Sequence, residues 1–364
     1  MRVVQILPEL NEGGVERGVV ELTREFAKFG VESVVISNSG KLVSELEKNG
    51  VRHIKFDVCS KNIFTALSRA SALKEILREI APDIVHVRSR VPAWLVKFAK
   101  GGLNFGLVST VHGLNSVNFY SKIMVDADKI ICVSNATKDY VVRNFGADVS
   151  KIRVIPRGID LDKFNPRNLD AEFMAKFRAE FGLKKGDFIV ASVGRITQLK
   201  DYETLIKAGQ ILKQSFGEGL KILIVGGVRE DKKEYFLGLQ NLARELNLAQ
   251  SVIFAGSQSK IPEIYALSNV VVSASKKPES FGRSVAEAIA LNAPVVASNH
   301  GGVLDIIKSG ENGEFFAVGD ERGLAAMIER AKDYKFDGYG YIAENFSLAQ
   351  MVEKTMSVYK EMVW

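Results

Sequence analysis

Short runs of β-branched and aliphatic residues recur along the chain, separated by stretches in which apolar positions return every three or four residues. The first set comprises Val3 to Leu7, Ser33 to Ile36, Ile84 to Val87, Leu107 to Val111, Ile130 to Val133 and Ile152 to Pro156. Near-continuous apolar runs bounded by helical patterns predict parallel strands buried on both faces. A polar, proline-containing stretch from Asp160 to Asn168 interrupts the pattern. It then restarts with Ile189 to Val193, Ile222 to Val225, Val252 to Ala255, Val270 to Ala274 and Val295 to Ala297.

The repetition predicts two doubly wound, Rossmann-like α/β domains, residues 1–168 and 169–346, facing one another across a cleft. Ligands of such sheets lie outside the carboxyl ends of the strands. The last segment, 347–364, opens on Ser347 with Gln350 three residues on, a capping-box pattern. It carries Leu348, Val352, Thr355, Tyr359 and Met362 at helical spacing. It is expected to be an amphipathic helix that packs back on the first domain.

Length and composition fit this picture. A chain of 364 residues with 46% apolar and 25% charged residues is long enough for two cores and unlike a disordered segment. Two cysteines, Cys59 and Cys132, leave no disulfide framework or cysteine-rich metal site and suggest a reducing compartment. No apolar stretch reaches the ~18–20 residues a membrane span needs, and Arg2 to Leu7 reads as a strand, not a leader, so a cytoplasmic protein is expected. The net charge of +6 is uneven: residues 1–168 hold 25 Lys and Arg against 18 Asp and Glu, and the remainder 24 against 25. From Asp83 to Asp126 no acidic residue intervenes, while Arg88, Arg90, Lys97, Lys100 and Lys122 fall there. That excess favours an anionic partner on the first domain.

The richest chemistry follows the strand ending at Ala274. In Ser275-Lys-Lys-Pro-Glu-Ser-Phe-Gly-Arg-Ser-Val-Ala-Glu287 two glutamates lie eight positions apart across an expected helix start near Phe281. Glu279 then stays in the loop, and Glu287 sits about two turns in, roughly 9 Å further along the axis. Between them are the first backbone N–H groups, those of Phe281, Gly282, Arg283 and Ser284. Amides and the positive helix end can hold a phosphate, and two carboxylates can accept hydroxyl hydrogen bonds on either side, which suits a nucleoside diphosphate sugar. Arg195 and Lys200, leaving the first strand of the second domain on one short loop, can neutralise a diphosphate and assist its departure. Gly13 and Gly14 permit close backbone approach. His112, where a strand ends, can bond a sugar hydroxyl or share charge during transfer.

These residues resemble the retaining glycosyltransferases of two-Rossmann GT-B architecture, the subgroup marked by Glu, seven residues, Glu. The resemblance spans nearly the whole chain. It implies that Glu279 contacts the transferred sugar and Glu287 the ribose, that Arg195 and Lys200 form the Gly-Arg…Lys signature, that the Gly13-Gly14 loop approaches the donor phosphate, and that His112 is the family's strand-end histidine. It further implies a nucleotide diphosphate sugar as donor and no separate cofactor. Arg157 stands where the family usually has Asn, leaving contact with an acidic acceptor or bracing of the interdomain segment as alternatives. Arg88-Ser-Arg90-Val-Pro-Ala-Trp94 is similar to the acceptor side of enzymes that build the lipopolysaccharide core. A glycan or glycolipid acceptor is therefore expected.

Two Asp-x-Asp triplets, Asp126-Ala-Asp128 and Asp160-Leu-Asp162, formally spell a metal motif. The first pair precedes a strand instead of following it, capping or turn roles explain both, and the basic loop can supply the charge, so no metal site is expected. Val91 to Lys100 reads as a helix with Trp94, Leu95 and Phe98 beside Lys97 and Lys100. It either packs on the sheet or docks on an anionic membrane at the inner face. Three other classes remain: a non-hydrolysing nucleotide-sugar epimerase, a dinucleotide-dependent dehydrogenase, and a nucleic-acid-binding protein. The dehydrogenase is disfavoured because no GxGxxG follows the opening strand, and nucleic-acid binding because no stacking-aromatic motif is evident.

Overall fold

Side chains alternate across a strand, so the run Val3-Val4 presents two faces to two cores. In the computed structural model, which describes residues 1–11 and 13–363, Val3, Ile84, Val108 and Ile131 belong to one buried cluster. Val4, Val85, Leu107 and Ile130 belong to another. The strands carrying them are β1 (Arg2–Ile6), β2 (Glu32–Ser37), β3 (Arg52–Lys55), β4 (Ile84–Val87), β5 (Gly106–Val111), β6 (Lys129–Cys132) and β7 (Ile152–Val154). All pair in parallel, in the order β3-β2-β1-β4-β5-β6-β7. One face is covered by helices Ala66–Ile80 and Arg90–Ala99. The other is covered in part by Gly14–Lys28 and by the C-terminal helix Leu348–Lys360, whose Leu348, Val352, Val358 and Tyr359 join Leu22 and Phe26 in the core. Trp364, the last residue of the expected terminal helix, lies outside the described residues.

The second unit repeats the plan with β8 (Phe188–Val193), β9 (Leu220–Val225), β10 (Val252–Gly256), β11 (Val270–Ser273), β12 (Val295–Ser298) and β13 (Gly313–Phe316). They form a parallel sheet in the order β10-β9-β8-β11-β12-β13. Val190, Ile222, Val270 and Val296 seed its largest core cluster with Leu205, Leu212 and Ile328 from the covering helices. The chain divides into these two compact units after Gly158, so residues 159–168 go with the second. Leu348 onward returns to the first.

In each sheet the strand order reverses direction beside the first strand, between β1 and β4 and between β8 and β11. The loops leaving the carboxyl ends diverge there and expose backbone groups, so this is where a doubly wound sheet binds its ligands. Two edge strands, β3 and β13, escape the apolar pattern. Arg52-His-Ile-Lys55 is only partly buried, at His53 and Ile54 on its two faces, and Gly313-Glu-Phe-Phe316 buries Glu314 under hydrogen bonds from Ser309 and Tyr334. β7 stops at Val154, two residues before Pro156, which has no N–H to give to a ladder.

Candidate functional site

In the second unit the loop leaving β11 runs from Ala274 to Gly282 into the helix Arg283–Ala290. The helix starts at Arg283 and not near Phe281, because Gly282 as its N-cap adopts φ +100°, a left-handed conformation that breaks helical geometry. Glu287 is therefore about one turn in, roughly 6 Å along the axis and not 9. Phe281 turns its ring into the core at 2% exposure, against Phe346, and leaves only its backbone to a ligand. Ser284 and Arg283 are half-buried on the first turn.

Glu279 is the centre of the loop. Its Oε1 accepts hydrogen bonds from Lys200 Nζ at 2.5 Å and Ser275 Oγ at 2.6 Å. Burial pushes its pKa upward, but the Lys200 ammonium and hydrogen bonds from Lys200, Ser275 and Ser273 outweigh it. The carboxyl is held below its ordinary value and ionised at neutral pH. Its backbone is pinned as firmly: Glu279 bridges Gly301, and Gly302 N–H donates to the Glu279 carbonyl at 2.7 Å. A Cβ on Gly301, where φ is +79°, would lie 2.6 Å from that carbonyl oxygen, so no other residue fits. His300 on the same loop donates from Nε2 to the Ser275 carbonyl at 2.8 Å.

Glu287 accepts from Arg283 Nε at 2.8 Å and lies 3.4 Å from Tyr265 OH. Lys200 ends a short 3-10 turn, Gln198–Lys200, and carries its charge to Glu279. Arg195 is exposed and makes no hydrogen bond or ion pair among the described residues. The structure thus brings Glu279 and Lys200 into direct contact, pairs Glu287 with Arg283, and gives Arg195 no partner among the described residues.

The first unit holds a second cluster. His112, just past β5, lines a cavity of about 300 Å³ with Pro8, Glu16, Arg88, Arg90 and Asn115. Arg157 Nη2 lies 2.9 Å from His112 Nδ1. A guanidinium only donates, so Nδ1 accepts and the imidazole proton resides on Nε2, which is buried without a partner. Burial first, then the charges of Arg157 and Arg88, hold the pKa of His112 well below its ordinary value, so the ring is neutral at pH 7. Arg157 also donates to the carbonyl of Gly14, the first residue of helix Gly14–Lys28, with Gly13 as its N-cap. It therefore braces the glycine turn and the histidine of its own unit. His86, by contrast, is a core histidine, with Tyr359 OH and Thr110 Oγ1 each 2.6 Å from its ring nitrogens. Asp126 and Asp128 pair with Lys97 and Lys100, and Asp160 caps the turn at Asp162 and Lys163.

Several participants were not anticipated. Ser273, Ser275, Gly301, Gly302 and Tyr265 shape the glutamate sites but are ordinary in type. Gln5 and Thr110 did leave a signal: each is a polar residue at a buried position of a mainly apolar strand.

Family models match most of this architecture. Residues 173–337 match the model described as glycosyl transferases group 1, and residues 12–163 that described as glycosyltransferase family 4. The chain belongs to the glycosyltransferases of GT-B fold. It is 31% identical over 360 residues to the D-inositol 3-phosphate glycosyltransferase of Thermomonospora curvata, covering 88% of this chain and 83% of that one. Against two other relatives of that name the chain spans only about half of their length, 54% and 42%. Among solved structures it is similar to a glycosyltransferase from Rickettsia africae ESF-5, with a TM-score of 0.91 and 31% identity over 100% of this chain and 98% of that one. It also shares its fold with Anabaena HepE, solved in complex with UDP and glucose, at a TM-score of 0.83 and 20% identity, covering 99% and 100%.

The ion pair at Glu279 has a pH signature. A carboxyl whose folded pKa is depressed contributes stability above its unfolded value, near 4.5, and loses it as pH falls through the folded value. In urea unfolding between pH 6 and 3, Lys200→Met is expected to be less stable than the parent at pH 6 and to converge on it toward pH 3. Parallel curves would show that Lys200 does not hold Glu279 ionised.

Proposed function

We propose that the chain is a retaining, metal-independent glycosyltransferase that moves a sugar from a nucleoside diphosphate donor to a hydroxyl of a glycan or glycolipid acceptor, the lipopolysaccharide core being the favoured class. The observation that carries this reading is Glu279: a half-buried carboxylate, ionised and fixed in both side chain and backbone, in the loop just ahead of a helix that carries Glu287 on its second turn. A carboxylate so fixed accepts hydrogen bonds from sugar hydroxyls without reorganising. The diphosphate is assigned to the first turn of Arg283–Ala290, where N–H groups are left over by helix geometry, and to the cations Arg195 and Lys200. Glu287 takes the ribose.

In the mechanism the glycosidic C–O bond to the diphosphate lengthens and the sugar gains oxocarbenium character. The acceptor hydroxyl attacks the face that the diphosphate leaves, and its proton passes to the departing phosphate oxygen. Arg195, Lys200 and the helix amides take up the charge that develops on that oxygen. No protein nucleophile is required. His112 is assigned the role of bonding a sugar hydroxyl from the cavity of its own unit.

A cytoplasmic enzyme at the inner face of the membrane fits the aromatic cluster on the first unit. Trp94, Phe98, Phe119 and Tyr120 stack within 5.5–6.4 Å of Trp94, Phe119 is 79% exposed, and Lys97 and Lys122 flank them. Aromatic rings with flanking lysines suit an anionic interface. Among the described residues no helix is long and apolar enough to cross a membrane.

Glu279→Gln is expected to lower transfer by about 100-fold or more, the loss seen when one preorganised polar contact is removed from a transition state, while UDP affinity in calorimetry stays within a few-fold. Unchanged turnover would defeat the assignment, and interconversion of donors without acceptor would favour the epimerase. For the membrane reading, the chain is expected to sediment with phosphatidylglycerol vesicles but not with phosphatidylcholine ones, and the double variant Phe98→Ser, Phe119→Ser to stay in solution. Equal behaviour of parent and variant would remove the cluster from membrane binding.

A further inference from the structure

Arg88 leaves the carboxyl end of β4, at the reversal point of the first sheet, and lines the same cavity as His112. Its Nε and Nη2 donate to Gln5 Oε1 at 3.0 and 2.8 Å, and its Nη1 lies 3.4 Å from Thr110 Oγ1. Neither partner is charged, and among the described residues no carboxylate pairs with Arg88. Gln5 is held in turn: its Nε2 donates to Tyr359 OH at 3.1 Å, Tyr359 OH meets His86 Nδ1, and His86 Nε2 meets Thr110 Oγ1. Gln5, His86 and Tyr359 have no exposed surface and Thr110 only 2%. The four form a polar chain inside the sheet, anchored from the far side by the C-terminal helix, and the guanidinium closes it by meeting Gln5 at one end and Thr110 at the other.

This is a costly arrangement for a cation. Burial lowers the pKa of Arg88 to about 10, which still leaves it charged at neutral pH. Arg88 is part-buried, and a charge drawn out of water without a counter-ion is unfavourable, since neutral partners recover only part of the lost hydration. The cavity's other cation, Arg90, donates to Ser121 Oγ at 3.1 Å and lies over the Tyr120 ring. Glu16, the one acidic residue among the described lining residues, folds back over Gly13 at the start of its own helix, where the positive helix end accommodates it, and forms no ion pair with Arg88. Among the described lining residues two guanidiniums stand against one carboxylate, which leaves one positive charge for an oxyanion to balance.

We propose that this cavity is an acceptor subsite for an anionic group, a phosphate monoester or a carboxylate on the acceptor, seated on the Arg88 guanidinium with Arg90 and His112 lining the same space. The assignment rests on the reading of the chain as a sugar transferase only for the word acceptor; the oxyanion site stands on Arg88 itself. A planar guanidinium held edge-on by Gln5 is oriented for two parallel bonds to an oxyanion, which an ammonium does not reproduce as well.

The test is calorimetric titration of inorganic phosphate, and separately of glucuronate, into the full chain already saturated with UDP, so that the donor side is occupied. At least one of the two is expected to bind, and the tighter one tells phosphate from carboxylate chemistry. Arg88→Gln is expected to weaken that binding at least about tenfold, as loss of a charge-assisted hydrogen bond does, and Arg88→Lys to weaken it less. If Arg88→Gln does not fold, phenylglyoxal labelling of the parent with mass mapping replaces it, and phosphate or glucuronate is expected to protect Arg88. Binding of neither anion at millimolar concentration, equal binding by parent and Arg88→Gln, or unprotected Arg88 would overturn the proposal. Failure of UDP to bind would instead overturn the transferase reading, and the same titrations without UDP would still decide the Arg88 site.

Discussion

The second unit depends on one interaction, the clamp of Lys200 and Ser275 on the carboxylate of Glu279. Without the ammonium, burial would push that carboxyl toward its neutral form, and a neutral acid is a poorer acceptor for sugar hydroxyls. With it, the group keeps its charge in a half-buried position. The surrounding loops exist to hold this geometry: Gly282 turns the chain into the helix, and Gly301 and Gly302 let a neighbouring loop close directly on the Glu279 backbone. Those glycines are a structural consequence of how closely two main chains approach.

The first unit solves the opposite problem, a cation instead of an anion. Its sheet carries Gln5, His86 and Thr110 in adjacent strands, in positions a purely structural core would give to aliphatic residues. Such a network is stable only when every member is satisfied, and Tyr359 from the end of the chain completes it. The return of the C-terminal helix to this unit therefore does more than cover apolar surface: it fixes the platform on which Arg88 lies. His112 and Arg157 stand beside that platform as a neutral imidazole and the donor that sets its tautomer.

Much of this was legible in the sequence because buried parallel strands announce themselves as continuous apolar runs. β4 was bounded to the residue, and the other recognised strands to within a residue or two. The edge strands β3 and β13 were not, since Arg52 to Lys55 has only one apolar residue, Ile54, and Gly313 to Phe316 carries the buried Glu314. The carboxylates Glu279 and Glu287 were visible as a pair straddling a helix start. What surrounds them was not: the pairing of Lys200 with Glu279 is a contact across 79 positions, made by the convergence of β8 and β11, and nothing in either segment encodes it locally. The start of the helix was misplaced for a local reason, the left-handed conformation of Gly282, which sequence spacing does not reveal. The role of Arg157 as a brace depended likewise on Gly14 and His112 being folded against it.

The central claim, that an ionised Glu279 and the start of Arg283–Ala290 together hold a nucleoside diphosphate sugar, is tested most directly by a crystal structure of the chain with UDP-glucose and its GDP and ADP counterparts. The account predicts that the donor that binds lays its diphosphate over the first turn of that helix, with sugar hydroxyls on the Glu279 carboxylate and ribose hydroxyls on Glu287. A donor bound elsewhere, or bound there with Glu279 still turned wholly to Lys200 and Ser275 and no contact to the sugar, would contradict it.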